Sequence, residues 1–262
     1  MDRALILNAS DDFKDMTPRD IQMSRLKLMQ ATNEDVKSGK AKYGDWYDTT
    51  AQKVVCHIDG TAQVIPLMWW KDWIEFNPNH MDKSKKIISR SADPASALAR
   101  AAEGFERIVN SRGKTVMRVT EVLNYVVLCP EYTQNWDEMF LMSFMKTGHK
   151  SGMKWLNALR KCRIDLKNDA GEVLERAQAP IWAYAWNIKS SAAQNPEGDS
   201  YLIPECADGV LNDSSVWADL SEKAERLKAA RQLVADRASA MSDGDDDKPT
   251  TGVDAAEAEK HF

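Results

Sequence analysis

Three clusters of aromatic residues carry the side chains best able to do chemistry here. Trp46 lies with Tyr43 and Tyr47, Trp69, Trp70 and Trp73 lie with Phe76, and Trp182, Tyr184 and Trp186 alternate along one run, in a chain with nine tryptophans. Flat rings stack on unpaired bases, at about 1–3 kcal/mol per base, while Lys or Arg beside them neutralise phosphates. If "LMWWKDWIEF" is a strand, Trp69, Lys71, Trp73 and Glu75 share one face. Trp70, Ile74 and Phe76 share the other, interrupted by Asp72. Cations that could track a backbone are Lys71, the loop residues Lys83, Lys85, Lys86 and Arg90, and Lys146 and Lys150. The candidate DNA-binding set is therefore Tyr47, Trp69, Lys71, Trp73, Lys85, Lys86, Arg90, Lys146 and Lys150. Strand aromatics are also favoured by β propensity and commonly form core. Trp70, Phe76 and two of Trp182, Tyr184 and Trp186 read that way.

Other chemistries find less support. There is no GxxxxGK[ST] loop, HExxH, GxSxG or GxGxxG motif. None of His57, His80, His149 and His261 has a Ser or Cys partner at a recognisable spacing. A non-enzymatic protein is expected; a nuclease with scattered carboxylates would need metal-dependent strand cleavage to support it. Cys56, Cys129, Cys162 and Cys206 form no CxxC pair. They read as reduced thiols rather than as a disulfide framework or a zinc site. "CHIDG" offers His57 and Asp59 as ligands, but Asp-Gly is first a turn signal. No cofactor and no metal are expected.

These side chains must be positioned by the surrounding elements. Lys53–Ile58 and Ala62–Phe76 read as strands joined by an Asp59-Gly60 hairpin turn. Ala95–Val109 has the alanines and the 3.6-residue spacing of a helix. "GKTVMRVTEVLNYVVLCP" and "DEMFLMSFMKT" read as strands. Over His149–Leu166, Met153, Leu156, Leu159 and Cys162 recur every three residues, an amphipathic helix with Lys154, Lys161 and Arg163 among its polar positions. "APIWAYAWNIKSSA" and "DSYLIPE" read as two late strands across a turn-rich segment. From Asp213 a capped helical pattern runs to Ala240. The order is mainly β with helices: a five-stranded antiparallel OB-like barrel with an inserted helix, a long C-terminal helix and a disordered acidic tail. The division is a flexible arm at 1–20, the OB-like domain at 21–212, the helix at 213–240 and the tail at 241–262.

Charge sets the tail apart. The chain has 262 residues and a net charge of −5. Residues 241–262 hold Asp243, Asp245, Asp246, Asp247, Asp254, Glu257 and Glu259 against Lys248 and Lys260, so the tail carries the whole imbalance and the body is neutral. A neutral body can still carry a local basic face. The tail composition cannot bury enough apolar surface to order itself. No stretch of eighteen apolar residues exists, and the N-terminal residues lack a secretory pattern. A cytoplasmic protein is expected, in the host cell if phage-encoded.

The tail "DGDDD…EAEKHF" resembles that of bacterial and phage single-stranded DNA-binding proteins, which end in an acidic tail closed by Phe. It departs in having its acids split by "KPTTGV" and in Lys260-His261 before Phe262. The body resembles a group of phage-encoded proteins over roughly 21–206, through "LKLMQ", "YGDWY", "VIPLMWWK", "SGMKWLNAL" and "QNPEG". Some of that group carry a central cysteine pair; "SRSADPASALARAAEGFERIV" has none, so no metal is carried over. The resemblance implies sequence-tolerant binding and protection of single-stranded DNA in phage replication or recombination. It also implies that Asp245, Asp246, Asp247 and Phe262 recruit replication or recombination proteins. The alternative is a regulatory protein that binds a polymerase or recombinase through the C-terminal helix and tail, without DNA.

Overall fold

The computed structural model describes residues 23–78, 87–110, 113, 115–133, 138–168, 170–194 and 200–243. The arm expected at 1–20 and the tail beyond Asp243 lie outside the described residues. In chain order the elements are β1 (Met23–Leu28), α1 (Glu34–Lys37), β2 (Trp46–Asp48), β3 (Lys53–Cys56), β4 (Ala62–Phe76) and β5 (Ile87–Ser91). Next come α2 (Ala97–Glu103), β6 (Arg107–Val109), β7 (Thr115–Met117), β8 (Val119–Leu128), β9 (Met139–Met145) and α3 (His149–Lys161). The chain continues through β10 (Arg163–Lys167), β11 (Val173–Gln178), β12 (Tyr184–Gln194), β13 (Ser200–Leu211), α4 (Trp217–Ala229) and α5 (Arg231–Asp243).

The protein is mainly β. Its principal sheet has nine strands in the order β13-β12-β4-β8-β9-β1-β2-β3, with β5 added beside β4, and it curls into a half-barrel. All pairs are antiparallel except β1 with β9, which is parallel. The expectation of five antiparallel strands thus meets nine strands in a mixed sheet. The ribbons β10–β11 and β6–β7 are separate two-stranded sheets.

β4 and β8 form the centre, with ten paired positions running from Ile65↔Leu128 to Glu75↔Val119. Both carry buried apolar side chains on both faces, as a sheet covered on two sides requires. One face carries Leu123, Tyr125, Val127, Phe140, Met142, Phe144 and Trp186, and is covered by Trp155 and Leu159 of α3. The other carries Ile65, Leu67, Trp70, Val126 and Leu141, and is covered by Leu220 and Leu227 of α4 and Val234 of α5. Burying each such side chain stabilises the fold by roughly 1.5–3 kcal/mol. The C-terminal helices therefore share a core with the sheet.

Two polar devices fix this arrangement. Asp72 is buried on the second face, where Arg90 of β5 pairs with it and Asn124 Nδ2 of β8 donates to its Oδ2 at 2.7 Å. Ser143 of β9 donates through Oγ to Asn124 Oδ1 at 2.7 Å, so one chain of bonds crosses four adjacent strands. At the sheet's open edge, the Gln30 amide donates to the Leu202 carbonyl at 2.9 Å and accepts from the Leu202 N–H at 3.2 Å. A side chain there stands in for a neighbouring strand and ties β13 to the segment after β1.

Several sequence expectations are corrected. The Asp59-Gly60 turn exists, with Gly60 N–H donating to the His57 carbonyl at 2.9 Å, but it joins no hairpin. β3 pairs with β2 and β4 pairs with β5, β8 and β12, because the turn carries the chain from the sheet's edge to its centre. The helix expected to Val109 ends at Glu103, and the helix expected to Leu166 ends at Lys161. In each case the β-branched or charged residues that follow pair as ribbons. The C-terminal helix breaks at Ala230 into α4 and α5. Trp182 lies in a 3-10 turn over Ile181–Ala183, so the expected alternation with Tyr184 and Trp186 starts only at Tyr184.

Gly152 lets α3 lie close on the sheet. A Cβ there would stand 2.7 Å from Phe144 Cβ and 3.0 Å from Leu123 Cδ1, while the Gly152 carbonyl accepts from Tyr125 Oη at 2.9 Å. Substitution G152A should destabilise the fold by about 1–3 kcal/mol through overpacking. Thermal unfolding followed by circular dichroism should show a melting point several degrees lower, with the secondary structure retained below it.

Candidate nucleic-acid interface

A basic surface is built by α3 and its approaches. From Met139 to Ile164 the chain has Lys146, Lys150, Lys154, Arg160, Lys161 and Arg163 and no acidic residue. The apolar residues Trp155, Leu156 and Leu159 turn to the sheet, so the polar ones turn outward. At 3.6 residues per turn, Lys150, Lys154 and Lys161 fall within an arc of about 40°. With Met153, Asn157 and Ala158 they line a shallow open hollow along the helix. None of these lysines forms an ion pair among the described residues. Three uncompensated ammonium groups on one stripe make a local positive potential on a neutral body.

Aromatic and polar groups flank the stripe. Arg160 lies over the Trp69 ring, its guanidinium carbon 5.9 Å from the centroid, and Trp69 is half-buried against the first core. At the other end Lys146 Nζ sits 5.2 Å from the Phe76 ring centroid. Lys146 has a φ of 49°, a left-handed conformation that turns the chain sharply from β9 into the helical segment. Between these ends Glu121 Oε1 accepts from Lys71 Nζ at 2.8 Å and lies 3.0 Å from His149 Nε2. Burial raises the Glu121 pKa, but the hydrogen bonds and charges of Lys71 and His149 outweigh it and hold the carboxyl below its ordinary range.

The expected site residues divide accordingly. Trp69, Lys71, Lys146 and Lys150 come together around α3. Tyr47 is 0% exposed, packed with Met29 and Ala41, and Trp73 is 5% exposed beneath Ala99 and Ala101 of α2. Neither ring presents a face for stacking, because α2 covers Trp73 and Met29 and Ala41 pack over Tyr47. Arg90 is engaged with buried Asp72 on the opposite side of the sheet. Lys85 and Lys86, and the partner-binding set Asp245, Asp246, Asp247 and Phe262, lie outside the described residues. Lys154, Arg160 and Lys161 were absent from the expected set, although the helical wheel of "HKSGMKWLNALRK" and the lack of any acid near it carry the signal. Phe76, expected in the core, is half-exposed under Lys146.

Other reactive groups are quiet. Cys56 and Cys129 are buried free thiols, and burial pushes Cys129 up to about 12, far from a reactive thiolate. Among the described residues no group of three His, Cys, Asp or Glu side chains is arranged to hold a metal ion. No helix among them is long and apolar enough to cross a membrane.

A family model described as Pam3 phage gp34-like protein matches residues 6–232. The chain belongs to that family. The match takes in the whole sheet, α3 and α4, and it supports a phage protein. No curated protein and no solved structure matches. The α3 stripe therefore belongs to the part of this gp34-like chain that the family model spans.

The Glu121 triad gives a pH test. A carboxyl held low in the folded state contributes stability above the unfolded pKa, near 4.3–4.5, and loses it as pH falls through the folded value. E121Q should therefore be less stable than the parent at pH 7. The two should converge as the pH falls below the ordinary glutamate range and through the lowered folded value, as read by denaturant midpoints across a pH series.

Proposed function

We propose that this phage protein binds single-stranded DNA without strong sequence preference, protecting it during replication or recombination. The observation that carries the reading is the acid-free lysine stripe of α3 beside Trp69, whose ring lies under Arg160. Lysines spaced along one helix suit a phosphate backbone, and a half-open ring beside them suits an unstacked base. The curled sheet with a helix laid on one face supports an OB-like reading of the fold. In this reading the acidic tail competes with DNA for the stripe, and Phe262 with Asp245, Asp246 and Asp247 engages replication or recombination proteins.

The alternative, a regulatory protein acting through its C-terminal helices, draws less support. Leu220, Leu227 and Val234, the apolar face such a partner would read, are already buried against the sheet.

Binding is best followed by fluorescence anisotropy of a labelled oligothymidylate of about thirty nucleotides. Trp46, Trp70, Trp73, Trp155 and Trp186 are buried, so most of the intrinsic fluorescence comes from rings a ligand does not touch. The parent should bind the single strand and not a duplex of equal length, more weakly as salt rises. Each lysine removed should lower the slope of log affinity against log salt by about 0.7, so K150A, K154A and K161A combined should lower it by about 2. W69A should weaken binding by about 5- to 150-fold, the equivalent of one stacked base, and W69F should restore most of it. An unchanged slope in the folded triple variant would remove α3 from the interface.

A further inference from the structure

α2 ends in an arrangement that normally needs glycine. The Glu106 N–H donates to the Ala101 carbonyl at 3.0 Å and the Phe105 N–H donates to the Ala102 carbonyl at 3.1 Å, the paired bonds of a Schellman motif. In that motif the residue just past the helix cap takes the left-handed conformation, and it is usually Gly. Here Gly104 stands one position too early, with φ −75°, and Phe105 takes the strained place with φ 51°. Its ring is 72% exposed. A large apolar side chain is thus displayed to solvent on a backbone that disfavours it. Strain of this kind concentrates at ligand clamps.

The ribbon that follows is also uncovered. Val109, Val116 and Met117 of β6 and β7 are exposed. Arg107 is exposed and makes no ion pair among the described residues. The sequence between β6 and β7 adds Arg112 and Lys114 and no acid. Glu106 is held by Arg118 at 2.8 Å, and Glu103 is the other acid in the stretch from 103 to 118. A flat ring beside surplus arginine suits an anionic partner that also offers flat rings.

A run of contacts connects this place with α3. Lys146 lies over Phe76, Phe76 follows Glu75, and Glu75 Oε1 accepts from Arg118 Nε at 2.7 Å. Arg118 in turn holds Glu106, the neighbour of Phe105. We propose that Phe105 and the β6–β7 ribbon are a second contact for the same single strand, Phe105 stacking on a base and Arg107 meeting a phosphate. The proposal rests on the nucleic-acid reading of α3 and extends the strand's path from α3, past Lys146 and Phe76, to the ribbon.

Substituting F105G separates strain from binding. Glycine relieves the left-handed backbone, so the full-length variant should melt at or above the parent's temperature. It should nonetheless bind the thirty-nucleotide oligothymidylate about 5- to 150-fold more weakly, and F105W should bind like the parent. Photocrosslinking to an iodouracil-substituted oligonucleotide should label the peptide that contains Phe105. If F105G binds like the parent while the α3 triple-lysine variant has lost affinity, the second contact is overturned and the α3 reading stands. If the parent binds no single strand, both fall together.

Discussion

A single buried carboxylate decides which way the central strand faces. Asp72 sits mid-strand in β4, and burying it unpaired would cost several kcal/mol. Its partners Arg90 and Asn124 lie on neighbouring strands, and Ser143 lies one strand farther, all on one side of the sheet. Slipping β4 by one residue would move Asp72 to the other face and leave all three behind. The same slip would carry Trp69 and Lys71 under α4 and α5. A charge buried on one face thus sets which aromatic and which lysine reach the other.

The two faces do different work under that constraint. One is sealed by α4 and α5 and behaves as core throughout. The other is covered in pieces, by α3 over the middle and α2 over Trp73, and the polar Lys71–Glu121–His149 group lies between them. Close contact at Gly152 draws α3 down onto the sheet, where its Arg160 reaches over the Trp69 ring. The Gln30 bonds to Leu202 keep the curl of the half-barrel, where a ladder between strands would have closed it.

Much of this was legible in the sequence, and the limits were physical. The long apolar run at Ala62–Phe76 announced a strand, and Trp69 and Lys71 fell on the face expected for them. Period-2 alternation says which residues share a face, but not what covers that face. The sequence places Trp73 on a face that reads as open, because α2 carries no signature of where it docks. Tyr47 was lost to the core for the same reason, beside a loop that folds back as Met29 and Ala41. The basic stripe could have been read from its helical spacing, since no distant contact is needed to see it. The parallel pairing of β1 with β9 and the Gln30 clasp could not, because each joins segments that share no local pattern.

That parallel pair has a consequence for how the chain acquires its shape. Met23 pairs with Met139, 116 positions away along the chain. β1, the first strand among the described residues, must wait for β9 before that edge is satisfied. Loop closure over such a span is slow, and folds rich in distant pairings form slowly. Until then β1 has only β2 beside it, and β2 has only β3 beyond. β1, β2 and β3 form a three-stranded fragment with an open edge, and β9 is the strand that joins it to the β4–β8 centre.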